Sequence, residues 1–169
     1  MTKLKDLNIK VLATTIKNAL EFQPRALWEK IIAEIIKDQL TGAEFVAYFD
    51  GSAKPNPGEM KIGGRILTPG ARNVIDEYSM DLGHGTNNEA EYLSLIEIAA
   101  RLVKLKASTV KIYGDSEFVI KQVTGIYKAK DPRMKILKEE TLKILNKIPN
   151  WKLKHIYREH NMAADALTR

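Results

Sequence analysis

Four acidic side chains stand where a chain could use them for chemistry. Asp50 closes the apolar run EFVAYFD just before a Gly-Ser turn, and Asp115 closes TVKIYG at the entrance to a helix. Glu91 falls in the first turn of a long helical pattern after Thr86-Asn87-Asn88, and Asp165 lies one turn into the last helix. In an open α/β sheet the carboxyl ends of neighbouring strands are where sites form, so these groups converge if the first and fourth strands are adjacent. Carboxylates gathered this closely repel and raise one another's pKa unless cations share the site. The chain has no cysteine and only three histidines, which excludes disulfides, thiolate nucleophiles and iron–sulfur clusters. A metal must be held by oxygen or by three histidines, and ligation by a few carboxylates selects Mg²⁺ or Mn²⁺.

The elements that position these groups can be read from periodicity. Strands are expected over Glu44–Asp50, Lys61–Thr68 and Arg72–Leu82, separated by the turn-rich runs GSAKPNPG and TPGA. A helix follows over about Asn88–Lys106, with apolar residues at Ala90, Leu93, Ile96, Ile98, Ala100 and Leu102. A short strand at Thr109–Tyr113, helices at about Ser116–Thr124 and Pro132–Lys147, a strand at Trp151–Tyr157 and a helix from Asn161 complete the order βββαβααβα. That order predicts an α/β fold in which three antiparallel strands are extended by parallel strands through right-handed crossovers. Gly63 and Gly64, inside the second strand, are expected to mark a bulge or bend.

A change of character near Thr41-Gly42 divides the chain into residues 1–42 and 43–169. In the first part Leu27, Trp28, Ile31, Ile32, Ile35 and Ile36 recur at helical spacing between Pro24 and Gly42, after a weaker helical pattern from Asn8 to Leu20. A helical hairpin is expected there. Its apolar stripe needs a cover, either the following domain or another chain, and we expect a homodimer or a protein partner.

The 169 residues suit one domain with a small appendage, and 44% hydrophobic with 28% charged residues is a soluble composition. No apolar stretch approaches a membrane span, and the N-terminal residues lack the form of a secretory signal, so a cytoplasmic location is expected. The net charge of +6 is unevenly spread: residues 121–158 carry eleven Lys/Arg against three Asp/Glu. Such a segment is either a solvated helix face or a surface for a polyanion.

The motifs D-G-S-x-x-x-N-P-G (Asp50–Gly58), T-N-N-x-x-E (Thr86–Glu91), G-D-S (Gly114–Ser116) and N-x-x-A-D-x-L (Asn161–Leu167) occur in this order on matching elements. Over about residues 44–169 the chain resembles a ribonuclease H of type 1. The resemblance implies a mixed five-stranded sheet flanked by helices and endonucleolytic hydrolysis of the RNA strand of RNA–DNA hybrids, leaving 5′-phosphate and 3′-hydroxyl ends. It also implies that Asp50, Glu91, Asp115 and Asp165 hold two divalent ions. Two ions roughly 4 Å apart can serve the attacking and leaving oxygens of an in-line displacement without a protein nucleophile. Asp50 is the candidate to bridge them, Glu91 and Asp115 to complete the leaving-group side, and Asp165 the nucleophile side. Asp115 and Asp165 could instead serve as caps, and Glu89 points elsewhere on the helix than Glu91.

The resemblance also implies substrate contacts. Recognition of a hybrid rests on shape and the 2′-hydroxyl. Asn56, Asn87 and Asn88 match positions that approach the minor groove, and Thr86 one that receives a DNA phosphate, while turn formation and helix capping are the alternative reading of all four. Glu117 stands where some members carry Gln and can still accept from a 2′-hydroxyl. The chain departs from many bacterial members in lacking the long basic, Trp-rich handle after the second helix. Lys128, Lys130, Arg133 and Lys135 could carry part of its electrostatic role. The family's loop histidine has no aligned match, and Arg158 or His160 could replace it. A non-catalytic hybrid or duplex binder is the competing class, disfavoured because a binder gains nothing from carboxylates that repel phosphates. A proofreading exonuclease would want D-x-E where this chain has D-G-S.

Overall fold

The computed structural model of the protein describes residues 44–68 and 73–169, so the helical hairpin read from residues 1–42 lies outside the described residues. Strand β1 (Glu44–Lys54) buries Phe45, Ala47 and Phe49 on one side and keeps Val46 and Tyr48 half-buried on the other, the period of two that a strand dictates. Strands β2 (Gly58–Leu67) and β3 (Val74–Gly85) continue it as an antiparallel meander. Helix α1 (Asn87–Lys104) then crosses to β4 (Thr109–Gly114), which pairs parallel to β1. Helices α2 (Glu117–Val123) and α3 (Pro132–Leu145) lead to β5 (Asn150–His155), parallel to β4. The strand order is β3-β2-β1-β4-β5. This is the mixed five-stranded sheet flanked by helices that the sequence implied.

Helix α1 is the central packing element. Ala90, Tyr92, Leu95, Ile98, Ala99 and Leu102 form its buried face, and each of the larger aliphatic side chains contributes roughly 1.5–3 kcal/mol by leaving water. Its start is fixed by a capping box in which Thr86 and Glu89 satisfy each other's exposed backbone donors. Asp131 caps α3 by accepting from the Arg133 and Met134 N–H groups, with Pro132 in the first turn.

Three local expectations are corrected. Strand β1 does not end at Asp50 but runs on to Lys54, because β2 continues beside it and pairs Gly51 with Ile62 and Ser52 with Lys61; the turn falls at residues 55–57. The parallel partner β4 is what stops there, with Tyr48–Tyr113 as its last pair with β1, so Asp50 lies just past the end of that ladder. Gly63 and Gly64 mark no bulge. The β2–β3 register shifts fall at Glu59/Met60 and Ile66/Leu67. The two glycines instead make room: a Cβ at Gly63 would lie 2.6 Å from Leu167 Cβ, and one at Gly64 would lie 2.7 Å from the Tyr48 carbonyl oxygen. The terminal helix shrinks to one turn, α4 (Met162–Asp165), between short 3₁₀ turns at Arg158–His160 and Ala166–Thr168.

Candidate active site

Asp50, Glu91 and Asp115 come from three different elements and converge. Each offers a carboxylate oxygen within 4.8 Å of the others. Asp50 is 5% exposed on β1, and Asp115 follows the end of β4. Glu91 is brought in by direct contact of α1 with β1 at Gly51, where a Cβ would overlap the backbone joining Ala90 to Glu91. Glycine is required here for close approach. These residues line a cleft of about 180 Å³ with Ser52, Lys54, Asn87 and Arg158.

The electrostatics are those of a buried anionic cluster that the Arg158 charge offsets only in part. Burial raises the Asp50 carboxyl to about 6, opposed by a hydrogen bond from Thr168 and reinforced by the charges of Asp115 and Asp165. Burial, followed by the charges of Asp50 and Asp115, raises Glu91 well above the usual range. Glu91 Oε2 is enclosed and has no hydrogen-bond partner. Buried polar atoms are normally satisfied, so an orphaned oxygen on one carboxylate of this cluster calls for a ligand. An all-oxygen, acidic donor set fits a hard divalent cation.

Asp165 is placed differently from the other three. It is buried near them, close enough to raise Asp50, but outside the group of three. Arg158 donates to its Oδ1 from Nε at 3.0 Å and from a terminal nitrogen at 2.5 Å, and Arg169 Nε donates to Oδ2 at 2.7 Å. Burial alone would raise Asp165, but these two guanidinium groups outweigh it and hold the carboxyl below its ordinary value.

The residues matched to substrate contacts have local partners. Asn56 Oδ1 accepts from the Asn87 N–H at 3.0 Å, and Asn87 Oδ1 accepts from the Ala53 N–H at 2.5 Å, which ties the β1–β2 turn to the start of α1. Thr86 caps α1. Asn88 is exposed and lines an open groove with Asn56, Thr86, Phe118 and Arg133. Glu117 is ion-paired with Lys121 at 2.7 Å. Arg158 lines the cleft while bonded to Asp165. Of the basic residues, Arg133 donates to Glu89 at 3.0 Å, whereas Lys128, Lys130 and Lys135 are exposed. Glu89 accepts from the backbone and hydroxyl of Thr86, and its carboxyl is held low by those bonds, so it belongs to the cap rather than to the cluster.

Two residues with no assigned part in the sequence reading stand behind the cluster. Asn161 is 1% exposed; its Nδ2 donates to the Phe49 carbonyl at 2.9 Å and to Asp115 Oδ1 at 3.1 Å. Its backbone carbonyl accepts from the Ala164 and Asp165 N–H groups, so one residue links β1, the end of β4 and α4. The N-x-x-A-D spacing held this signal, because the asparagine sits one helical turn before Asp165. The hydroxyl of Thr168, also buried, hydrogen-bonds to Asp50 Oδ2, and nothing in the sequence marked it.

A mixed sheet in the order β3-β2-β1-β4-β5, flanked by helices and with an acidic cluster beyond the β1–β4 ladder, is a ribonuclease H-like fold. Residues 48–169 match the family described as reverse transcriptase-like, and the chain belongs to that family, on its ribonuclease H type 1 side. It is 32% identical over 126 residues to ribonuclease HI of Halobacterium salinarum, covering 75% of this chain and 63% of that protein. It is 30% identical over 118 residues to the bifunctional protein Rv2228c of Mycobacterium tuberculosis, covering 70% of this chain and 32% of that one. The chain thus spans less than two thirds of the length of either curated relative. Among solved structures, RNase H1 of Halobacterium salinarum superposes with a TM-score of 0.72 at 31% identity over 75% of this chain and 95% of that one. LC11-RNase H1, solved in complex with an RNA/DNA hybrid, gives 0.68 at 34% identity over 73% and 93%.

Proposed function

We propose that the protein is a divalent-metal-dependent endoribonuclease that hydrolyses the RNA strand of RNA–DNA hybrids. The observation that carries this reading is the convergence of Asp50, Glu91 and Asp115 with an orphaned Glu91 oxygen. The hybrid bound by LC11-RNase H1 supports the choice of substrate. Asp50, Glu91 and Asp115 would hold the cation, taken to be Mg²⁺ or Mn²⁺, with Asp165 completing a second site when substrate enters. Bound divalent ions polarise the scissile phosphate and ease deprotonation of the attacking water. The chain's own residues fix the carboxylates, and the exposed Asn88 and the groove beside it accept the duplex. The P–O3′ bond breaks, water supplies the oxygen of the new 5′-phosphate, and the ribose keeps a 3′-hydroxyl. Arg158, on the rim of the cleft, is positioned to neutralise phosphate charge.

The test is incubation of end-labelled RNA–DNA hybrid, double-stranded RNA and double-stranded DNA with Mg²⁺, Mn²⁺ or EDTA. Cleavage of the hybrid's RNA strand alone, abolished by EDTA, is the expected result. Tight hybrid binding with no cleavage under any metal would favour the binding module instead. Residues 1–42 are proposed as a separate segment that self-associates through the stripe from Leu27 to Ile36, and sedimentation of the full chain as a dimer is the expected outcome. Among the described residues, no helix is long and apolar enough to cross a membrane.

A further inference from the structure

We infer that Thr168 is a positioning residue for the metal site, acting through Asp50; this rests on the metal-dependent reading above. Asp50 is almost fully buried, and a carboxylate at that depth can turn about its side-chain bonds unless a directed contact fixes it. Thr168 supplies that contact: its Oγ1 hydrogen-bonds to Asp50 Oδ2. The same hydroxyl lies 3.0 Å from the Asp165 carbonyl, but it has one proton, and the charged carboxylate is the stronger acceptor. The hydroxyl is itself held firmly. Ser52 Oγ donates to the Thr168 carbonyl at 2.9 Å, and Ser79 Oγ donates to the Leu167 carbonyl at 2.6 Å, so β1 and β3 both fasten the turn that carries it. A Cβ at Gly63, opposite Asp50 in the register, would strike Leu167, which shows how closely this turn lies on the sheet.

Thr168 therefore holds one oxygen of Asp50 and limits how the carboxylate can turn beside Glu91 and Asp115. Partners of metal-ligating side chains change metal affinity by about 10- to 100-fold when removed. Thr168→Val keeps the shape and removes the donor, and Thr168→Ser keeps the donor. Isothermal titration of Mn²⁺ into the substrate-free full chain should show Thr168→Val binding at least about tenfold more weakly and Thr168→Ser close to wild type. In steady-state cleavage at fixed, subsaturating Mn²⁺, Thr168→Val should lower kcat with KM for the hybrid unchanged. Raising Mn²⁺ should restore much of that loss. Wild-type Mn²⁺ affinity in Thr168→Val, or equal weakening in Thr168→Ser, would overturn the inference. A wild-type chain that binds Mn²⁺ yet leaves hybrid intact would instead overturn the proposed activity and leave the affinity comparison standing.

Discussion

Glu91 reaches the acidic cluster because the backbone at its own position rests on Gly51: a side chain at residue 51 would occupy the space of the Ala90–Glu91 backbone. Asp50 and Glu91 therefore approach each other through a glycine contact between a strand and a helix. Gly51→Ala should push α1 off β1 and carry Glu91 with it. Overpacking of this kind costs about 1–3 kcal/mol. The expected outcome is a lowered Tm with a larger fractional loss of kcat than of hybrid affinity, read by thermal melting and steady-state cleavage. Unchanged turnover in a folded Gly51→Ala protein would show that the site tolerates a displaced Glu91.

Glu89 and Glu91 lie two residues apart on α1 and have opposite surroundings. Glu89 is bonded to Thr86 and Arg133 and lies low in pKa, whereas Glu91 is enclosed, partly unpartnered and high. Glu89→Gln should retain cleavage and lose about 1 kcal/mol or less of stability through a weakened cap. Glu91→Gln and Asp50→Asn should each lose at least about a thousandfold in kcat, roughly 4 kcal/mol of barrier. A dead Glu89→Gln beside an active Glu91→Gln would reverse the assignment.

The sheet and the three converging carboxylates were legible because their signals are local: alternation in EFVAYFD, helical periodicity after Thr86, and an acidic residue just after each of two apolar strand runs, even though β1 itself continues past Asp50 to Lys54. Long-range approaches were not legible. Gly63 and Gly64 read as a bulge because a sequence does not show that Leu167 and Tyr78 press on them. Thr168 lies 118 positions from Asp50 and has no periodic signature. Asp165 read as a fourth ligand from its motif, while its bonds to Arg158 and Arg169 depend on how the last turns fold back. Capping was legible only as an alternative for Thr86, since Thr and Asn serve caps and ligands equally well.

The raised carboxyl of Asp50 makes stability depend on pH in a defined direction. With a folded value of about 6 against 3.8 for the free side chain, the folded form binds its proton more tightly than the unfolded chain does. Stability without metal should therefore fall as pH rises from about 4 to about 6 and stay low above that. Glu91, also raised, acts in the same sense. In EDTA, Tm should be lower at pH 7.5 than at pH 5.5, and Mn²⁺ should recover it at pH 7.5 by compensating the charge. Asp50→Asn should melt higher than wild type in EDTA at pH 7.5 and gain little from Mn²⁺. A wild-type Tm that rises across this range in EDTA would mean that the cluster's repulsion is not what limits stability.

Asp165 is separated from the other three carboxylates by its partners rather than by distance alone. Two guanidinium groups bond to it directly and neutralise it, so it adds little to the field that draws in a first cation, whereas Asp50 and Glu91 feel only the more distant charge of Arg158 and stay raised. Asp165→Asn should therefore bind Mn²⁺ in the absence of substrate within about threefold of wild type, or roughly 0.7 kcal/mol. Asp50→Asn should show no measurable binding. If Asp165 joins a second ion only when a phosphate draws Arg158 away, Asp165→Asn should still cleave poorly, and its defect should grow smaller as Mn²⁺ is raised. Calorimetry on the substrate-free proteins, paired with single-turnover cleavage at several Mn²⁺ concentrations, separates the two steps. Loss of Mn²⁺ binding in Asp165→Asn as complete as in Asp50→Asn would put Asp165 in the first ion's shell and mean that the arginines leave it before substrate arrives.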